Sequence, residues 1–126
     1  PTEVLKARDY LLVYRSQRDV EEFSVNRHLF DRVNLGTGGV IVTAPGDQVD
    51  FVSRFFTPQA TILEDPVTGS AHCTSAPYWA EKLGQTVLHA RQISARGGDV
   101  HCQVLPEHVL VSGNVVTYAK ATVLLP

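Results

Sequence analysis

The chain has 126 residues, a formal net charge of −2 at pH 7, 44% hydrophobic residues and 19% charged residues. This is a globular composition, neither disordered nor membrane-spanning, and no apolar run approaches the roughly 20 residues that a membrane helix needs. The eleven Lys and Arg are scattered, which leaves no phosphate-backbone footprint for nucleic acid.

The length fits one domain, 1–126, able to bury roughly two-thirds of its unfolded surface without covalent staples. Pro1 to Arg8 carries no apolar signal-peptide core. Cys73 and Cys102 show neither CxxC nor zinc spacing, and the five histidines show no paired ligand spacing. The expectation is two reduced thiols, a cytoplasmic protein and no metal.

In chain order, the apolar run Tyr10–Tyr14 predicts a strand. Asp19 to Val33 reads as one or two helical pieces, the first capped by Asp19 and the second by Asn26, with Val25, Leu29, Phe30 and Val33 on the core face. Gly36, Gly38 and Gly39 form a turn before the β-branched strand Val40–Ala44, and Pro45-Gly46-Asp47 is a turn signal. Asp50–Thr57 predicts a strand with both faces partly covered, and Pro58–Pro66 a loop. Thr68–Leu83 predicts a helix that Pro77 bends and Gly84 stops. Val87–Ser94, Val100–Leu105, His108–Val111 and Val115–Leu125 alternate as strands, with turns at Gly97-Gly98 and Ser112-Gly113-Asn114. Strands around one main helix make this an α+β pattern.

The chemistry sits in Glu64-Asp65-Pro66-Val67-Thr68-Gly69-Ser70-Ala71-His72. A loop with two carboxylates enters a Thr-Gly-Ser turn, and a helix begins. The first amides of a helix have no internal partners and lie at the positive end of its dipole. A carboxylate or phosphate placed there gains charge-assisted hydrogen bonds. Gly69 lets a ligand approach the backbone, and the Ser70 hydroxyl adds a bond to it. Asp65 stands where it can hold an ammonium group or relay a proton, and His72 is a group that titrates near neutrality. Farther on, Arg96-Gly97-Gly98 presents a cation and an approachable backbone.

Each signal also has a bland counterpart. Thr or Ser before a helix usually only caps it, and Asp-Pro usually starts a turn. A histidine inside a helix is ordinarily packed or solvated, Cys73 is ordinarily a small core residue, and Arg96 ordinarily an exposed hairpin arginine. Arg54 can support a carboxylate loop or form a salt bridge without function.

The run Asp50-Phe51-Val52-Ser53-Arg54-Phe55-Phe56, then Glu64 through His72, then Ala76-Pro77-Tyr78-Trp79, then Gln92 with Arg96-Gly97-Gly98, together resemble the PhzF family. These are the phenazine-biosynthesis-like isomerases, related in fold to diaminopimelate epimerase. The similarity runs from about Tyr10 to Val123 and is dense between Asp50 and Cys102. The resemblance implies one half of a two-lobed protein, each half a β-barrel-like sheet wrapped around one central helix, with the active site between the halves. It implies that Ala71 to Leu83 is buried and that Asp65 and Ser70 face the substrate. It also implies that no metal or organic cofactor is used. The implied chemistry is proton removal and return at a carbon.

The family's principal acid/base glutamate lies in an amino-terminal half that this chain does not contain. Thr61 stands where the family loop often has glycine, and the expected glycine near Lys120-Ala121 is missing. The expected site is Asp65 and His72 for catalysis, with Thr68, Gly69, Ser70, Arg96 and Gly97 for binding. The expected partner is a small carboxylate or amino-acid-like ligand, with a homodimer or an amino-terminal-half domain completing the cleft. The alternative is a non-catalytic module that binds small carboxylates or a protein.

Overall fold

The computed structural model describes residues 1–124. Its strands are β1 (Glu3–Lys6), β2 (Tyr10–Val13), β3 (Val40–Pro45), β4 (Phe51–Phe56), β5 (Glu64–Asp65), β6 (Val87–Gln92), β7 (Gly98–Val104) and β8 (Val109–Ser112). Three helices join them: α1 (Gln17–Glu21), α2 (Arg27–Phe30) and α3 (Gly69–Leu83). The strands form one mixed sheet in the order β1-β2-β3-β4-β6-β7-β8, with β5 paired to β4 off that path. The β2–β3 and β4–β6 pairs are parallel and the rest antiparallel.

Alternation on β4 explains its two covered faces. Phe51 and Phe55 pack with Ala71, Ala76 and Trp79 of α3, whereas Val52 and Phe56 pack with Val20 of α1, Phe23 and Phe30 on the opposite face. Successive strand residues point to opposite sides, so a strand buried on both is mostly apolar, here broken by Ser53 and by Arg54, which is paired to Glu64. Burial of such side chains contributes about 1.5–3 kcal/mol each, which makes β4 the spine of the fold.

Ser16, rather than Asp19, caps α1. The Ser16 hydroxyl accepts from the Asp19 amide at 3.3 Å while the Asp19 carboxylate accepts from the Ser16 amide at 3.0 Å. This reciprocal pair needs an acidic group three residues after the cap, the place Asp19 occupies. Asn26 caps α2 as the sequence indicates.

Helix α3 runs from Gly69 through Pro77 to a left-handed Gly84 with φ 67°. Its buried residues, Ala71, His72, Ser75, Ala76, Trp79 and Ala80, recur at helical spacing and form one stripe. Trp79 Nε1 donates to Thr43 Oγ1 at 2.9 Å, so even the indole nitrogen is satisfied. Tyr78 and Lys82 both reach Glu3 on β1 at 3.0 Å, and α3 also packs against β7 and β8 near the other edge of the sheet. The helix is therefore flanked by the sheet but not enclosed. Cys73, Pro77 and Glu81 stay exposed, in contrast to a helix buried from Ala71 to Leu83. The physical reason is that the sheet is not closed: among the described residues, no pairing joins β1 to β8.

Three further strand expectations change. Glu3–Lys6 forms an edge strand that its Lys and Glu conceal, and Glu64–Asp65, within the expected loop, pairs with Phe56 and Phe55. The tail Val115–Leu124 forms no strand, and Leu125 lies outside the described residues. Alternation alone does not make a strand, because its hydrogen bonds must come from a neighbour.

Candidate functional site

The register of β4 places the site. Strand β3 pairs along the full length of one edge of β4. On the other edge β6 pairs with Phe51–Ser53 and β5 with Phe55–Phe56. The end of β6, Gln92, therefore abuts the Glu64–Asp65 segment that leads into α3. Glu64 is held by Arg54, whose Nε and Nη2 donate to Oε1 and Oε2 at 2.7 and 2.9 Å. Arg54 Nη1 also donates to the carbonyls of Val20 and Phe23 at 3.1 and 2.8 Å, tying the loop to the end of α1.

Thr68 occupies the cap position of α3, yet its side chain makes no capping bond. Its hydroxyl donates instead to Asp65 Oδ2 at 2.5 Å. The first amides of α3, at Gly69 and Ser70, are thus left uncapped by any side chain, and both residues are exposed. A Cβ built on Gly69 would meet nothing within 4 Å, so the space over it is open.

That space belongs to a cleft of about 520 Å³ lined by Val67, Gly69, Arg96, Gly97, Gly98, Asp99 and Val100, and by Val111 to Asn114. It brings together the predicted Gly69, Arg96 and Gly97. Asp65, Thr68 and Ser70 do not line it, although Thr68 and Ser70 flank Gly69 in the chain. Arg96 forms no ion pair among the described residues. Asp99, by contrast, is engaged. Hydrogen bonds from His89 and Arg91 hold its carboxyl below the usual aspartate range.

His72 lies elsewhere. It is fully buried one turn into α3, tilted against Phe51 with ring centroids 5.9 Å apart. Burial pushes its pKa down, opposed by its bond to the Thr68 carbonyl at 2.8 Å. A carbonyl only accepts, so Nδ1 carries the proton and the neutral ring presents a bare Nε2. That atom is buried without a partner among the described residues.

Residues 5–121 match the family described as phenazine biosynthesis-like protein. The chain belongs to that family. It is 45% identical over 121 residues to an uncharacterized isomerase of Pseudomonas aeruginosa, covering 95% of this chain and 46% of the relative. A second uncharacterized isomerase of the same bacterium is 43% identical over 125 residues, covering 99% of this chain and 48% of the relative. The crystal structure of a putative phenazine biosynthesis PhzC/PhzF protein from Clostridium difficile superposes with a TM-score of 0.88 at 40% identity, over 99% of this chain and 48% of that one. The chain spans about half the length of the relatives it matches.

In this phenazine biosynthesis-like chain, two residues shape the site without having stood out as ligand contacts in the sequence. Gln92 is completely buried and bonds to Asp65 and Thr68. Ser94 donates to the Pro66 carbonyl at 2.7 Å and accepts from the Gly97 amide at 3.1 Å, which locks the glycine turn against the motif loop. Gly97 has φ 69°, a conformation that favours glycine, and Gly98 leaves no room for a Cβ beside Val67 at 2.7 Å. A polar residue closing a strand that is apolar on its inner face was the available signal for Gln92. Among the described residues no group of three or more His, Cys, Asp or Glu is placed to share a metal ion.

Proposed function

We propose that this chain forms the anion-holding half of a cofactor-independent isomerase of PhzF type, acting by proton transfer on a small carboxylate or amino-acid-like metabolite. The observation that carries this reading is the uncapped start of α3, whose Gly69 opens on a cleft that also bears Arg96 and Gly97, with the exposed Ser70 next to it in the chain. A substrate carboxylate there accepts from the helix amides, with the helix dipole and the Arg96 guanidinium adding favourable charge. The same contacts favour the extra negative charge that develops when a proton leaves the adjacent carbon.

Asp65 is the group proposed to handle that proton or the substrate ammonium. Its Oδ2 accepts from Thr68 and its Oδ1 has no hydrogen bond among the described residues. His72 was the other candidate base. Its complete burial favours a supporting role, holding the Thr68 carbonyl, over contact with a ligand. By this reading the open sheet around α3 is half of a diaminopimelate epimerase-like, barrel-like architecture, and the other half supplies the second catalytic group.

Pairing has its own support. Asn114 lines the cleft, and the chain beyond it leaves Val115, Val116 and Tyr118 at 91%, 87% and 101% exposure. Val123 and Leu124 are also exposed. Large apolar side chains left in water favour a covering partner when they form one contiguous patch. The segment follows Asn114 directly in the chain, and by this reading a homodimer or an amino-terminal-half domain covers it and completes the cleft.

Isotope exchange tests the reading. The chain, alone and together with an amino-terminal half, is incubated in deuterated water with a panel of amino acids and small carboxylates. Deuterium should enter at the carbon next to the carboxylate, and Asp65→Asn should abolish entry. Exchange unaffected by Asp65→Asn would remove Asp65 from the mechanism. The second reading is a non-catalytic carboxylate-binding or protein-interaction module, for which the burial of His72 away from the cleft speaks. Saturable binding that Ser70→Ala weakens, with no exchange under any pairing, would select it.

A further inference from the structure

We infer that Gln92 is a positioning residue that orients both the Asp65 carboxylate and the ligand-facing amides of α3. Its role for Asp65 rests on the isomerase reading; its hold on the loop does not. Gln92 is the last residue of β6 and is fully buried. Its carboxamide spends its bonds on one turn. Oε1 accepts from the Thr68 amide at 2.8 Å, and Nε2 donates to the Asp65 carbonyl at 2.7 Å and to Thr68 Oγ1 at 3.3 Å. One partner is the Asp65 carbonyl at the end of β5, and the other two are the amide and hydroxyl of Thr68, so the bonds converge on the turn that leads from β5 into α3.

Donor and acceptor rules give this cluster a direction. The amide nitrogen of Gln92 can only donate, so Thr68 Oγ1 accepts from it. The hydroxyl proton of Thr68 then goes to Asp65 Oδ2, because an ionised carboxylate can only accept. The order Gln92 to Thr68 to Asp65 leaves Asp65 Oδ1 as the oxygen without a bond among the described residues. The same Gln92 draws the Thr68 amide inward. A bound anion is therefore left with the amides of Gly69 and Ser70, one step into the helix. A glutamate at this position keeps the shape and the bond from the Thr68 amide. It cannot donate to Asp65 or Thr68, and it adds a negative charge below the anion site.

The experiment uses the full chain and amide hydrogen exchange read by NMR, first without ligand. In the wild type the Thr68 amide should be protected, and the Gly69 and Ser70 amides should exchange as open groups. Gln92→Met should speed Thr68 exchange at least about tenfold, the order expected when a buried hydrogen bond is removed. Gln92→Glu should leave it protected. Thr68 exchange unchanged in Gln92→Met overturns the proposal whatever the ligand does.

Acetate is then titrated as the probe, following the Gly69 and Ser70 amide shifts. Gln92→Met and Thr68→Val should each weaken acetate severalfold, and the double variant should be no weaker than the worse single one. Losses that multiply mean independent packing effects and overturn the relay. Should Gln92→Met not fold, Thr68→Val alone decides: it must keep its own amide protected while weakening acetate. A wild type with a protected Thr68 amide but no response to acetate sinks the isomerase reading and leaves the hold of Gln92 on the loop intact.

Discussion

Arg54 and Glu64 meet in a two-bond fork, Nε to Oε1 at 2.7 Å and Nη2 to Oε2 at 2.9 Å, with both side chains mostly buried at 16% and 22% exposure. The two residues are not equal in what they satisfy. Arg54 also serves carbonyls of Val20 and Phe23, whereas Glu64 has Arg54 as its side-chain partner. Arg54→Met should therefore cost more than Glu64→Gln, about 2–4 against about 1 kcal/mol, because it strands a mostly buried carboxylate and two carbonyls. Urea unfolding of both variants checks the order. Equal losses would mean that the carbonyl bonds contribute nothing.

Gly69 and Gly39 separate ligand space from packing space. A Cβ on Gly69 has nothing within 4 Å, whereas one on Gly39 would lie 2.8 Å from the Phe56 carbonyl oxygen and overlap the Phe55 ring. Gly69→Ala should leave thermal stability unchanged or slightly raised, since alanine is the better helix residue, yet weaken a small carboxylate several-fold. Gly39→Ala should lower stability by about 2 kcal/mol or more through overpacking. Melting curves and an acetate titration measure both. Undiminished binding in Gly69→Ala would move the ligand away from the helix start.

His72 should make folding sensitive to mild acid. Burial holds its folded pKa below the ordinary 6.5. Below 6.5 the unfolded chain takes up a proton at this position that the folded chain refuses, so stability is full above 6.5 and falls as the pH drops toward the folded value. Relative to His72→Leu, the wild type should lose stability faster as the pH falls below 6.5, with a slope of at most about 1.4 kcal/mol per pH unit. Chemical denaturation across that range reads the difference. Parallel profiles would mean that the ring titrates as freely folded as unfolded.

The two thiols should differ in reactivity. Cys73 is exposed on the open side of α3, whereas burial pushes the Cys102 pKa up to about 11. Only the thiolate attacks an alkylating reagent, so iodoacetamide at pH 8 should label Cys73 alone in the folded protein and both residues in denaturant. Mass spectrometry of peptides from the two reactions assigns the sites. Equal labelling of Cys102 in the folded chain would show that β7 opens readily.

Much of the frame was legible in local chemistry. The β-branched run at Val40, the Gly84 stop and the spacing of Ala71, Ala76 and Trp79 each act through neighbours in the chain, so the sequence carries them. So does the anion-binding potential of a Thr-Gly-Ser helix start, because orphan amides follow from helix geometry alone. The Ser16 cap was missed in favour of Asp19 because the two cooperate, and either residue by itself reads as a cap.

The sequence by itself determined the family and the main elements, α3 and the strands β2, β3, β4, β6, β7 and β8, since periodicity and a long ordered motif depend only on nearby residues. Tertiary structure decided which atoms remain free for a ligand. It turned Thr68 from a cap into a donor to Asp65, sent His72 into the core and set Gln92 beneath the motif loop. It also left Val115–Leu124 without a ladder despite its strand-like pattern. The physical reason is common to all four. Hydrogen-bond partners and burial are supplied by residues distant in the chain, and only the register of the sheet brings them within reach.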